Sequence, residues 1–329
     1  MNTVLKPTFV RPNIDRNDHP VLSEEYAICT SSTYKMLKTI LGWIEVRQPG
    51  GMIYGAPRLG KSKSIEFISK YLETLYDNTL PVLIFECYKH HLPSENMFYQ
   101  EMLDTVNHAY SEKGNSGQKR SRLRDYFLSV AMKNKHKRIV IFFDEAQNFG
   151  EQQYKWLINI YNDLRRRRVK PTFIMVGQSE LQSLRDAFVT KHNKQIVGRF
   201  LLNVHKFRGI TGAADIEVCL RAFDDNATTE YPAGSGCSFT EYFFPIAYKH
   251  GWRLQDQAET VWKAFSEIKQ KYKLPTSEIS MNFFFGALNY VLLKHENLID
   301  IEPHLSLNIW KEAVEQSGYS QSGVLVEGE

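Results

Sequence analysis

The stretch Gly55-Ala-Pro-Arg-Leu-Gly60-Lys61-Ser62 constrains this chain more than any other. It fits G-x-x-x-x-G-K-[ST], follows a short apolar run over residues 51–54, and leads into a helical stripe of Ile65, Ile68, Leu72 and Leu75. Strand, glycine-bearing turn and helix in that order curl backbone N–H groups around an anion at a helix N-terminus. On this reading Gly55, Pro57, Arg58, Leu59, Gly60, Lys61, Ser62 and Lys63 form a phosphate cradle. Lys61 is expected to reach the β and γ phosphates, and the Ser62 hydroxyl to ligate Mg²⁺, so ATP and Mg²⁺ are the expected cofactors.

A phosphate loop of this kind needs a parallel sheet behind it. Apolar runs of strand type occur at residues 51–54, 81–88, 138–143 and 171–177, with a further candidate at 203–207. Helical stripes, such as Leu157, Ile160 and Leu164, separate them, and this alternation predicts a parallel sheet covered on both faces. Before the first strand, Leu37, Ile40, Leu41 and Ile44 recur at helical spacing between Thr30 and Pro49. From residue 212 the pattern turns helical, with Leu254, Ala258, Val261, Trp262, Phe265 and Ile268 on one face and a further apolar helix over 283–293. The expected organisation is a flexible arm at 1–22, broken by Pro7, Pro12 and Pro20; an α/β nucleotide-binding domain at 23–211; a smaller α-helical lid domain at 212–316; and a flexible tail at 317–329.

Two more strand ends carry chemistry. The run Arg138-Ile-Val-Ile-Phe-Phe closes on Asp144-Glu145, delivering two carboxylates to the sheet edge where the phosphates lie. Asp144 is expected to hold Mg²⁺ and Glu145 to polarise the water that attacks the γ phosphate, although Asp-Glu after a strand also serves as a plain helix start. The run Phe173-Ile-Met-Val-Gly177 ends at Gln178, which can donate to a phosphate oxygen or simply turn the chain. Arg199 in Gly198-Arg199-Phe200 is the first candidate for an arginine finger reaching a neighbouring subunit's nucleotide, and Arg185 the second.

Composition adds exclusions. Hydrophobic residues make up 43% and aromatic ones 13% of the 329, more than a disordered chain carries, and a net charge of +4 is too small to name a partner. Four dispersed cysteines form neither a zinc motif nor a disulfide framework, and nowhere do roughly 18 apolar residues run together. A soluble cytoplasmic protein without membrane contact is expected.

GAPRLGKS, the strand ending FFDEAQ, IMVGQ, the GRF segment and the helical region after them resemble, in order and spacing, the AAA+ transposition regulators of the TnsC and MuB type, most closely the compact TnsC proteins of CRISPR-associated transposons. The resemblance covers about residues 25–315. It implies an AAA+ P-loop ATPase that binds ATP, forms a ring or filament of identical subunits around double-stranded DNA, and connects a target-selection protein of TniQ type to transposase subunits. It assigns Lys61 and Ser62 to the phosphate loop, Asp144 and Glu145 to the Walker B pair, Gln178 to the sensor position and Arg199 to the finger. One departure stands out: Ile279-Ser-Met-Asn-Phe-Phe lacks the lid arginine of many AAA+ proteins, with Arg253 as a substitute or a structural residue. A helicase loader or replication initiator is the alternative within the fold. A small-molecule kinase and a scaffold that never hydrolyses ATP are alternatives outside that role.

The cation-rich stretch between the second and third strands reads as a loop that neutralises DNA phosphates without reading sequence. The candidates are Lys113, Lys119 and Arg120, with Lys89 on the preceding loop. The four arginines at 165–168 end a helix, where cations favour the terminal carbonyls.

Overall fold

The computed structural model describes residues 11–325 except 13, 24 and 276, and divides the chain into two compact units. The first comprises the described residues up to Ser32, the loop tip Arg58–Gly60 and everything from Arg208 onward; the second comprises Thr33–Pro57 and Lys61–Phe207.

The second unit is built on five parallel strands: β1 (Gly50–Tyr54), β2 (Val82–Glu86), β3 (Arg138–Asp144), β4 (Lys170–Gly177) and β5 (Val204–Lys206), in the order β2-β3-β4-β1-β5. All five runs read from sequence are strands, with ends shifted by one or two residues. Ile139 to Phe143 and Phe173 to Val176 are buried on both faces, as continuous apolar runs in a covered parallel sheet must be. The helices are α1 (Ser31–Glu45), α2 (Lys61–Leu75), α3 (Glu95–Thr105), α4 (Ser116–Ala131), α5 (Glu151–Arg166) and α6 (Glu180–Thr190). Register decides what meets at the sheet edge. Tyr54 pairs with Gly177, Glu86 with Asp144 and Phe143 with Met175, so β1 and β4 finish together and β3 ends within one residue of them.

The stretch expected as a basic loop is mostly helix. The Ser94 hydroxyl caps α3, and Asn115 with Gln118 forms a capping box at the start of α4. Phe98, Met102 and Leu103 of α3 and Leu123, Phe127 and Ala131 of α4 are buried in the core of the unit. These apolar positions recur at helical spacing, a signal outweighed in the sequence by the density of cations between them.

The other unit is helical: α7 (Ala213–Asp224), α8 (Ala258–Tyr272), α9 (Met281–Lys294) and α10 (Leu307–Gln316), with shorter helices between them. Its core unites Phe223, Tyr242, Phe265, Phe284 and Trp310. The flexible arm expected at 1–22 needs correction over its described part, residues 1–10 and 13 lying outside it. His19 and Val21 are fully buried, and His19 sits among the rings of Tyr231, Phe239, Tyr242 and Phe243 at centroid distances of 4.5–5.2 Å. The three prolines hid an aromatic anchor. Likewise Tyr319, in the segment expected as a flexible tail, is buried against Phe265 and Phe283. Arg253 donates to the carbonyls of Tyr248 and Trp252 at 2.8 Å each and lies 3.8 Å above the Tyr248 ring, which makes it a structural residue of its own unit. Among the described residues no helix is long and apolar enough to cross a membrane.

Candidate nucleotide site

The turn after β1 has the backbone that its sequence demands. Gly60 takes φ +93°, a conformation costly to any residue with a Cβ, and Arg58 is left-handed at φ 61°. Lys61 opens α2, and its buried ammonium donates to the carbonyls of Gly55 at 2.8 Å and Ala56 at 2.7 Å. Burial lowers the Lys61 pKa, while the carboxylates of Glu145, Asp144 and Glu180 pull it back up. Ser62 follows on the same turn, and its hydroxyl donates to Asp144 Oδ2 at 2.6 Å. Burial raises the Asp144 pKa, opposed by the Ser62 hydrogen bond and by the Glu145 N–H, which donates to Oδ1 at 2.9 Å. Lys63, next along α2, points elsewhere and pairs with Glu66 on the surface at 3.2 Å.

The donor set fits Mg²⁺ carried by a nucleotide. A hydroxyl and one carboxylate, already in contact, are the hard oxygen ligands such an ion takes from a protein, the phosphates supplying others. Among the described residues the Lys61 ammonium is satisfied by two neutral carbonyls, and it has the charge to meet a phosphate.

Glu145 sits in the left-handed region at φ 54°, immediately past the end of β3. Its Oε2 accepts from two side-chain amides, Gln178 Nε2 at 3.0 Å and Gln147 Nε2. Gln147 in turn accepts the Gln178 backbone N–H on Oε1 at 3.0 Å. A Cβ on Gly177 would collide with that same Oε1, so glycine at the end of β4 makes room for the Gln147 amide. The result is a closed polar triangle of Glu145, Gln147 and Gln178. Gln147 was missed as a site residue in the sequence reading. Its signal is there, an amide two residues beyond the carboxylate in FFDEAQ, but its significance depends on β4 ending beside it.

The structure therefore brings together Lys61, Ser62, Asp144, Glu145 and Gln178. It does not bring Arg199 to them. Arg199 lies in the π-helical turn Val197–Leu201, with its backbone carbonyl against Gly50 at the start of β1. Four residues of strand, roughly 13 Å, separate that edge from the phosphate loop. Its guanidinium donates to Asn162 Oδ1 at 3.4 Å and lies 5.9 Å from the centre of the Tyr161 ring. Arg185 is engaged by the Leu201 carbonyl and Asp186, each at 3.0 Å.

The basic candidates also divide. Lys89 and Lys113 are exposed, Lys113 lying 5.3 Å from the Tyr110 ring centre. Lys119 is only 1% exposed, and its ammonium donates to Asn96 Oδ1 and Gln100 Oε1, both at 2.7 Å. Arg120 donates to Asp163 at 2.6 Å. Expectation of Lys119 and Arg120 as loop cations on DNA is thus corrected: both are on α4, turned inward to tie it to α3 and α5.

Against known proteins, residues 45–184 match a family model described as an AAA domain. Two solved structures of the ORC2 protein of Aeropyrum pernix share the architecture. The form in complexes with ADPNP and ADP has a TM-score of 0.54 at 10% identity, covering 95% of this chain and 70% of that one. The ADP form has a TM-score of 0.54 at 11% identity, covering 91% and 73%. The fold is the AAA+ P-loop fold. No curated protein matches the sequence significantly. At such identities the AAA+ likeness is one of architecture, and the chemistry must be argued from the residues.

Proposed function

We propose that this chain is an ATP-dependent AAA+ regulator that oligomerises on double-stranded DNA without sequence preference and links a target-selection protein of TniQ type to transposase subunits. The observation that carries the nucleotide part is the meeting of Lys61, Ser62, Asp144, Glu145 and Gln178 at one edge of the sheet. The transposition part rests on the resemblance of motif order and spacing.

When bound, Mg²⁺ neutralises phosphate charge and positions the γ phosphate. In this reading Ser62 and Asp144 hold that ion, the Asp144 carboxylate being available once it has lost a proton that burial makes it keep to higher pH than usual. Lys61 exchanges its carbonyl partners for phosphate oxygens. Glu145 orients the attacking water, and the two amides on Oε2 fix its rotamer while leaving Oε1 to accept. Gln178 shares its amide between Glu145 and the γ phosphate, so the carboxylate and the sensor position are mechanically one device. Arg199, at the opposite edge, serves a neighbouring subunit rather than its own chain. Lys89 and Lys113 are the exposed cations proposed to meet DNA phosphates.

The test is Glu145→Gln. It should bind ATP, assemble on random-sequence duplex and persist there, with turnover reduced by at least about a hundredfold; rapid release from DNA would sink the proposal. Capture of a TniQ-type protein, rather than a replicative helicase, separates the transposition regulator from a loader or initiator. Transfer of phosphate to a metabolite, unstimulated by DNA, would point instead to a kinase.

A further inference from the structure

At the sheet edge opposite the phosphate loop lies a cavity of about 190 Å³, within the α/β unit, whose lining is strongly basic. Arg138 and Lys170 are the first residues of β3 and β4 and pair across the ladder. Arg165 reaches the cavity from the last turn of α5 and Arg47 from the turn after α1, while Tyr161 and Thr172 complete its wall. None of the four cations has a carboxylate partner among the described residues. Asp163, the nearest acid along α5, is already paired with Arg120 at 2.6 Å and Arg166 at 3.4 Å. The Nε of Arg138 is buried and has no hydrogen-bond partner. Four like charges around one small space repel each other, and a buried guanidinium N–H left without an acceptor carries an unmet desolvation cost. The repulsion is relieved by a single compact, multiply charged anion.

We infer that this cavity is a second phosphate-binding site, distinct from the nucleotide site and built for a phosphate or pyrophosphate group. Planar guanidinium forks match the paired oxygens of phosphate, and four positive charges exceed what one carboxylate balances. The volume is below that of sites for drug-sized molecules, so a phosphate group fits and an entire nucleotide does not. Two sources present this chemistry: a free polyphosphate, and the backbone of a nucleic acid crossing the opening, where Arg47 and Arg165 are exposed. The cavity shares Tyr161 with Arg199, whose guanidinium lies over that ring.

The test uses the full chain saturated with ADP and Mg²⁺, with ADP binding measured beforehand so that a failure at the phosphate loop is seen separately. Inorganic pyrophosphate is titrated by calorimetry, and a fluorescent random-sequence duplex by anisotropy. The variants are Arg138→Gln, and the pair Arg47→Gln with Arg165→Gln, which changes only exposed side chains and keeps the fold. The wild type should bind one pyrophosphate beyond the nucleotide site, and each variant should weaken it about tenfold or more. If duplex affinity falls in the same variants and pyrophosphate competes with duplex, the backbone is the source. If only pyrophosphate binding falls, the source is a free anion; a fall confined to duplex again assigns the backbone. Unchanged affinity for both probes in both variants overturns the inference.

Discussion

Lys119 provides the sharpest separation between a structural and a nucleic-acid role, because the sequence put it on DNA and the structure put it in the core. Replacing it with alanine removes three buried methylenes worth about 0.8 kcal/mol each, roughly 2.4 kcal/mol for the stem beyond Cβ. The two amide carbonyls of Asn96 and Gln100 also lose a charged donor. No longer desolvating an ammonium offsets only part of that loss, which adds about 1 kcal/mol, so the net cost is about 3 kcal/mol. For a domain this size the melting temperature should fall by about 6–12 °C. Lys119→Met, which keeps the stem and drops only the charge, should cost about 1 kcal/mol. The assay is thermal and urea unfolding of each variant, paired with duplex affinity of the folded protein over a salt series. Unchanged unfolding, together with a salt slope reduced by about 0.9, would mean that Lys119 meets a phosphate after all and would refute the packing argument.

Gly177→Ala should push the flexible Gln147 amide off Glu145, costing about 1 kcal/mol in stability through the hydrogen bonds lost and slowing ATP turnover. In a Gln147→Ala background the same change should cost little, and equal effects in both backgrounds would show that Gly177 acts some other way. Arg199→Ala should leave ATP binding by the isolated subunit intact and abolish turnover in the assembled form; unchanged turnover on DNA removes Arg199 from any site. His19, buried by aromatic rings, has its pKa lowered to about 4, with the Arg11 charge adding to the burial effect. The unfolded chain therefore binds a proton near pH 6.5 that the folded chain refuses until about pH 4, so stability falls as pH drops through that window, by about 3 kcal/mol at most. His19→Phe should remove this part of the acid sensitivity in urea titrations at pH 7 and pH 4, and an identical pH dependence in both proteins would count against it.

The sequence by itself determined the α/β order and the chemistry of the loop after β1. Gly60, Lys61 and Ser62 act through spacing along one turn, and spacing is what a sequence records. It also set the sheet, since apolar runs bounded by helices have few other ways to bury both faces. Tertiary structure decided everything that depends on two segments meeting. Gln147 joined Glu145 and Gln178 only because β3 and β4 end in register, and the loop cations at 119 and 120 became core ties because Asn96, Gln100 and Asp163 faced them. The N-terminal prolines concealed His19 for the same reason: its partners lie more than two hundred residues away. Charge along a chain shows how many cations there are. Whether each meets water, a carboxylate or a phosphate is settled by which neighbours folding brings within about 3 Å, and the basic cavity formed by Arg47, Arg138, Arg165 and Lys170 exists only at that level.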